Sequence, residues 1–370
     1  MKYFVRTVGI IIGTLRAEYR QLANRYFGKH GRYDGDAISV CEQSLEKLWS
    51  GEFYRTSLGH FDFFWTRDFG TACQSLVHLG YTEQVHRTLQ FALRHFRRAG
   101  AVTLCIDKHG NCFDAPNKSI DTLPWLLHSL VVSDYPLNKS DVKFLNRALR
   151  KYRDMYLDTH GYLRSMKVYE MRDAVIYDRS AYAVSLVARL AECARLLGLQ
   201  HSYSIDLYRD QLIGHYWNGK YFNADYRNDA FSAECALLPF WLGIVDDKEM
   251  AEATFAFIAE KKLSDPYPLI YTPTPERFKY HLWMSAPWMP NYHGNIIWSW
   301  HGEFYLHLLR RYNHPRYAEE YQKFCDMITL HGNFPELLNT DGSWYNAPVY
   351  RGDPGMIWVA LFLELPTPHK

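Results

Sequence analysis

The chain is 370 residues long and carries 42 basic and 40 acidic side chains, so it lacks the one-sign field that holds nucleic acid. Aromatic residues make up 16% of it, with 28 Tyr and 11 Trp, whose apolar faces and polar tips suit a wet groove as well as a core. The seven cysteines are odd in number and show no metal-ligand spacing, which points to a reducing, cytoplasmic setting and no metal site.

The start, Met1 to Gly13, holds a short apolar run, Val8-Gly9-Ile10-Ile11-Ile12-Gly13. It is too short to span a bilayer and lacks a clear small-residue cleavage site, so no membrane partner is expected. A helix over 15–27 follows, within an N-terminal extension covering 1–35. From 36 to 370 no linker or low-complexity block interrupts the chain, and this stretch is read as one domain.

Helical periodicity dominates that domain. The predicted helices are 37–49, 68–80, 83–98, 120–132, 140–157, 180–198, 203–214, 230–242, 247–261, 295–312, 316–330 and 354–364. Segment 83–98 points Val85, Leu89, Leu93 and Phe96 one way, and Arg87 and Arg94 another. Its basic run, Arg94 to Arg98, reads as a solvated face. Segment 140–157, with Ser140 as its expected N-cap, does the same with Val142, Leu145, Leu149, Tyr152 and Tyr156. Segments 120–132 and 180–198 are apolar nearly all round, and the second is rich in Ala, which marks helices buried on every side.

Buried and half-buried helices therefore alternate, one pair per roughly 55 residues. Two concentric rings, an all-α (α/α)6 toroid of six helical hairpins, satisfy that alternation. A solenoid would need repeat self-similarity, and none is present. Short polar-aromatic pieces such as 217–226 read as small hairpins at the rim. Asn117-Lys118-Ser119 and Asn138-Lys139-Ser140 match the glycosylation sequon, a weak three-residue pattern.

Acidic-aromatic stretches stand just ahead of apolar helices: Phe63 to Gly70, Ser119-Ile120-Asp121, Met171-Arg172-Asp173, Asn291 to Asn295, and Phe334-Pro335-Glu336. If alternate helices run the same way round the ring, these stretches meet at one end, in a pocket of carboxylates and indoles that suits a sugar. Arg67 and Asp68 would bind sugar hydroxyls over an aromatic face. The competing reading has Asp68 capping its helix and pairing with Arg67. Asp173 and Glu336 would face each other, one protonating a leaving oxygen and the other activating water. A separation of roughly 6.5–9.5 Å would invert the anomeric centre. His293 and His301 fit no one-turn metal pair, and no Gly-rich phosphate loop or Gly-x-Ser-x-Gly element occurs.

These stretches resemble motifs of the six-hairpin glycosidases: glucoamylases, debranching-enzyme glucosidases, processing α-glucosidase relatives and alkaline/neutral invertases. Phe64-Trp65-Thr66-Arg67-Asp68-Phe69-Gly70 resembles their W-x-R-D element. Tyr292-His293-Gly294-Asn295-Ile296-Ile297-Trp298-Ser299-Trp300 resembles Y-H-N-G-G-x-W-P, with Gly294 and Asn295 in swapped order and Ser299 in place of Pro. Phe334-Pro335-Glu336 with Asp341-Gly342 is similar to P-E-x-x-D-G, which implies that Glu336 is the general base. By matching position, Asp173 falls where the group keeps its general acid. The neighbouring Arg172 or Arg179 is expected to lower its pKa, leaving Glu170 and Asp178 as alternative acids.

The resemblance implies an inverting hydrolase with no metal or organic cofactor, acting on a small α-glucoside, with sucrose next. Trp65, Arg67, Asp68, Asp121, Tyr292, His293, Trp298 and His301 would shape the sugar subsite. A sugar 2-epimerase on the same ring, using His128 and His301, and a non-catalytic sugar-binding protein are the rivals. The partner expected is a small carbohydrate, and assembly as a homo-oligomer stays open.

Overall fold

The computed structural model describes residues 16, 19–28, 31–114, 118–166, 168–281 and 288–368. The apolar run before residue 14 and the sequon at Asn117 lie outside the described residues, as does part of the predicted 15–27 helix. Each of the twelve main helices predicted from periodicity is present. They are α1 (Ala37–Leu48), α2 (Thr66–His78), α3 (Thr82–Ala99), α4 (Thr122–Val132), α5 (Lys139–Tyr156), α6 (Ala181–Leu196), α7 (Ile205–Gln211), α8 (Ala233–Trp241), α9 (Lys248–Glu260), α10 (Ser299–Arg311), α11 (Tyr317–His331) and α12 (Val359–Glu364).

The even-numbered helices form the inner ring. Each packs on the next from α2 through α4, α6 and α8 to α10, and α12 returns to α2. Between α10 and α12 the ring is closed by Trp300 and Trp358, stacked 4.5 Å apart at 17°. The odd-numbered helices lie outside, and α1 packs on both α11 and α12. This is an all-α (α/α)6 toroid. Burial follows the sequence pattern: twelve of the sixteen residues of α6 are buried, whereas α3 buries only one stripe, including Val85, Leu89, Leu93 and Phe96. Close packing in the inner ring relies on missing side chains. A Cβ on Gly70 of α2 would stand 2.7 Å from the Trp125 Cβ of α4, and one on Gly302 of α10 would stand 2.5 Å from the Pro268 carbonyl oxygen.

Several boundaries differ from the periodic reading, each for a local reason. Asn138, not Ser140, caps α5. Its side chain accepts from Ser140 N at 2.8 Å and Asp141 N at 3.1 Å, and Asp141 answers the cap's own N–H in a capping box. That same side chain is the sequon asparagine. Residues 295–298 are not helical as expected, because Ile297–Trp298 pair antiparallel with Leu337–Leu338. Residues 354–358 precede α12 without being helical themselves. The α7 helix ends in a π turn, Leu212–Tyr216, and then the expected rim hairpin with Trp217 bridged to Phe222.

All six inner helices begin at the same rim, where their N-terminal dipole ends favour negative charge. Strand β1 (Phe64–Trp65) leads into α2 there, paired with β2 (Cys105–Ile106) and through it with β3 (Cys112–Phe113). The pair named above, Ile297–Trp298 (β4) and Leu337–Leu338 (β5), lies on the same side. Ser119 bridges Tyr169, and Pro335 bridges Pro354, so consecutive entry segments are tied side by side. The described part of the N-terminal extension, helical over 19–27, lies on this rim too. Tyr26 donates to the Pro348 carbonyl at 3.0 Å, and Arg351 donates to the Gly28 carbonyl at 2.9 Å.

Candidate active site

The rim gathers the acidic-aromatic stretches into one cluster. Arg67, in the first turn of α2, donates through Nε to Asp121 Oδ2 at 2.7 Å and through NH2 to Ser119 Oγ at 3.1 Å. Ser119 Oγ donates to Asp121 Oδ1 at 2.6 Å, and Tyr182 OH donates to Oδ2 at 2.9 Å. Trp125 Nε1 in turn holds the Tyr182 oxygen at 3.1 Å. Three inner helices are thereby locked to one carboxylate. Burial alone would lower the Arg67 pKa, but the Asp121 charge outweighs it and raises the guanidinium above its ordinary value.

Arg67 thus pairs with a residue from the next hairpin and not with Asp68. Asp68 is not the cap of α2 either, since Trp65 holds the N-cap position before Thr66 and makes no side-chain cap bond. Its buried carboxyl is raised to about 7 by desolvation, opposed by Arg67 and supported by the charge of Asp121.

Asp173 lies across from this group. Its side chain keeps 22% of its surface accessible, and Oδ1, 3.6 Å from His293 Nδ1, has no hydrogen-bond partner among the described residues. Burial raises its pKa to about 7, with Arg67 lowering it and Asp121 raising it. Arg172 and Arg179 do not act as the sequence suggested. Arg172 turns its guanidinium away, over the rings of Tyr271 (4.2 Å) and Phe278 (4.1 Å), and donates to the His293 carbonyl. Arg179 is held by Asp178 at 3.1 Å and lies over Tyr226.

The alternative acids are placed differently. Asp178 is bound by Arg179 and Arg227. Desolvation opposes its ionisation, but those arginine contacts prevail and lower its pKa, the wrong direction for a proton donor. Glu170 is fully buried, with Oε2 accepting from Ser180 Oγ at 2.5 Å, and desolvation holds it well above the usual range.

His293 accepts at Nδ1 from the Ala174 N–H at 3.3 Å, and desolvation holds its pKa well below the ordinary value, so the ring is neutral. It stacks on Trp298 at 5.3 Å and 10°. Trp298, with its Nε1 on the Tyr292 carbonyl at 3.2 Å, and His301, with Nε2 3.2 Å from Met171 Sδ, stand one layer behind His293. Burial lowers the His301 pKa to about 3. Trp65 is half-buried and meets Phe61 edge-on at 5.0 Å.

Glu336 is buried beside Tyr350, whose hydroxyl stands 2.7 and 2.8 Å from its two carboxylate oxygens. The Asp353 N–H donates to Oε2 at 2.8 Å. Desolvation first, then the Asp353 charge, hold the Glu336 pKa well above the usual carboxylate range. Tyr292 links the two acids. Its ring lies 4.3 Å from His293 and 4.8 Å from Tyr350, and burial and the charges of Glu336 and Asp173 keep its hydroxyl protonated. The charges of Asp173 and Glu336, 163 positions apart in the numbering, both push the Tyr292 hydroxyl's pKa upward.

Sequence reasoning missed Tyr182, Glu234, Tyr350 and Asp353. Glu234 accepts from Tyr177 OH at 2.6 Å and Ser232 Oγ at 3.1 Å, beneath Arg172. It could have been flagged as a lone acid at the start of an apolar segment. Asp353 sits before the last inner helix, the same place in its hairpin that the recognised acids occupy.

No family model and no curated protein matches this sequence. Solved structures do. A wild-type glycosidase superposes with a TM-score of 0.62 at 12% identity over 89% of this chain and 95% of that one. A variant glycosidase in complex with glucose gives 0.66 at 11% identity over the same shares. The fold is that of the six-hairpin glycosidases. A bacterial glucoamylase complexed with acarbose gives 0.61 at 13% identity over 88% of this chain and 54% of that one. A GH63 mannosylglycerate hydrolase from Thermus thermophilus, in complex with Tris and D-glycerate, gives 0.54 at 12% over 89% and 99%.

Proposed function

We propose that the chain is an inverting glycoside hydrolase for a small α-glucoside, with Asp173 as general acid and Glu336 as general base. The observation that carries this reading is the pair of carboxyl environments whose charges both act on the Tyr292 hydroxyl. Asp173 has a partly open carboxyl that holds its proton to about pH 7. Glu336, oriented by Tyr350 and the Asp353 amide, works in its ionised form, which burial and the Asp353 charge make the stronger proton acceptor. Asp173 gives its proton to the glycosidic oxygen as the C1–O bond breaks. Glu336 takes a proton from the water whose oxygen bonds to C1 from the other face.

Arg67, Asp68 and Asp121 supply a rigid charged edge for sugar hydroxyls. Trp65, Tyr292 and His293 wall the subsite, with Trp298 and His301 behind them. Residues 36–370 would act as the catalytic domain, with the 19–27 helix seated on its rim. The seven cysteines form no disulfide, which favours a cytoplasmic setting, and no helix among the described residues is long and apolar enough to cross a membrane. The neighbours solved with glucose and with acarbose favour a glucosyl unit as substrate. The 2-epimerase reading has less support, because His128 is bound by Arg189 Nε at 3.0 Å and packed between Trp125 and Trp241, away from His301 and its partner Met171.

The test is a panel of maltose, isomaltose, nigerose, kojibiose, trehalose and sucrose, with proton NMR of the first-formed sugar. Release of β-D-glucose from an α-linked member is expected. No hydrolysis across the panel, or α-D-glucose as the first product, overturns the reading. The pH profile adds a second expectation. Asp173 must be protonated to act, so kcat/KM on a disaccharide should fall tenfold per unit as pH rises above about 7. With α-D-glucosyl fluoride, whose leaving group departs without a proton, that limb should vanish. A limb that persists with the fluoride assigns the titration to another group, such as Asp68.

A further inference from the structure

Asp353 is a buried carboxylate outside the acid–base pair, and no step above uses its side chain. Five groups converge on it. Asn24 Nδ2 donates to Oδ1 at 2.9 Å, the His60 N–H to Oδ1 at 3.0 Å and the Phe61 N–H to Oδ2 at 3.0 Å. Ser57 Oγ donates to Oδ2, and His60 Nδ1 lies 2.8 Å from Oδ1. Such a cage holds a carboxylate ionised away from water. Burial opposes that charge, but His60 and the donors prevail and keep the Asp353 pKa below its ordinary value. No side chain fits in place of the hydrogen of Gly59, where a Cβ would stand 1.9 Å from Asp353 Oδ1.

The cage draws on three separate pieces of chain: the loop before β1, the segment leading to α12, and the N-terminal helix through Asn24. Two bonds join it to Glu336: the Asp353 main-chain N–H donates to Glu336 Oε2, and the Glu336 N–H donates to the Asp353 carbonyl at 2.9 Å. His60 also meets Tyr350 edge-on at 5.1 Å, so both groups that touch Glu336 rest on the cage.

We propose that Asp353 is a positioning residue for the base: its caged carboxylate places a fixed negative charge behind Glu336 while its main-chain N–H orients the reacting oxygen, and Asn24 of the N-terminal helix completes the cage. The inference rests on the base role of Glu336. A negative charge behind the base makes it a stronger proton acceptor from water, and the N–H keeps its lone pair aimed. The other groups that bear on Glu336 are Tyr350 on its own segment and Asp68 from α2. Its charge in turn bears on Tyr345, beyond β5, and on Tyr292 from the loop before β4. None of these supplies a second fixed charge beside it as Asp353 does.

The experiment follows kcat/KM for α-D-glucosyl fluoride against pH, because that substrate reports the base alone. Removing the charge in Asp353→Asn should move the acid limb to lower pH by about one unit, with a fall of at least about tenfold in kcat at the plateau. A folded Asp353→Asn protein whose acid limb stays in place overturns the inference. If that variant does not fold, Asn24→Ala decides. Stripping one donor leaves more of the Asp353 charge acting on Glu336, so the limb should move up, and an unmoved limb overturns the inference. Glu336→Gln separates the two readings. If it retains activity, the base assignment falls; if it is inactive and the Asp353→Asn limb is unmoved, only the inference falls.

Discussion

Asp173→Asn is expected to lower disaccharide hydrolysis by about 10²–10⁴-fold while leaving hydrolysis of α-D-glucosyl fluoride within a few-fold of the parent. The reason is the proton. A sugar alkoxide is a poor leaving group and needs the hydrogen that Asp173 holds up to about pH 7, whereas fluoride leaves unaided. Glu336→Gln should lose both activities, because water must be deprotonated in either case. Gln keeps the size of Glu and can still meet Tyr350, so the loss would report chemistry and not collapse. Fluoride release and reducing-sugar release, measured side by side on the two variants, check this. Equal losses on both substrates for Asp173→Asn would remove it from the acid role.

The second large effect concerns stability. Arg67→Met should cost about 3–5 kcal/mol, because it leaves the Asp121 carboxylate buried without its cation. Asp121 is fully buried, and its remaining partners, Ser119 and Tyr182, are neutral hydroxyls. Chemical denaturation followed by tryptophan fluorescence would read the change. Adding Asp121→Leu to Arg67→Met should cost less than the sum of the two single changes, since the second substitution removes the stranded charge. Additive losses would show that Arg67 and Asp121 stabilise the ring independently. Arg67→Met should also abolish saturation by sugar, as it removes the charged edge of the subsite.

Periodic signals carried far in this chain. The all-round apolar face of α6 and the single stripe of α3 each report burial through composition alone, and their alternation implies two rings. The boundaries failed where a tertiary bond competed with propensity. Residues 295–298 extend because Leu337–Leu338 offer them a ladder, and α5 begins at Lys139 because Asn138 is the better cap. Asp68 and Glu336 stood out because each lies beside bulky aromatics, Phe69 and Phe334, whereas Asp173 was picked out only by its matching position ahead of a buried helix. Tyr350 and Asp353 carried no such mark. Each is a single polar residue in coil, with partners 14 to 329 positions away.

The order and burial of the helices, and hence the gathering of acids at one rim, were determined by the sequence alone, because helix periodicity and hydrophobic faces are local properties. Which acid meets which base was decided by the closed ring. By charge and type Arg67 could have served Asp173, Asp68 or Asp121. Only the packing of α2 on α4, and of α4 on α6, gives it to Asp121, and only the aromatic pair Tyr271 and Phe278 draws Arg172 away. A pKa depends on distances of a few ångströms and on the water excluded around a group. Those are set when the six hairpins close on one another.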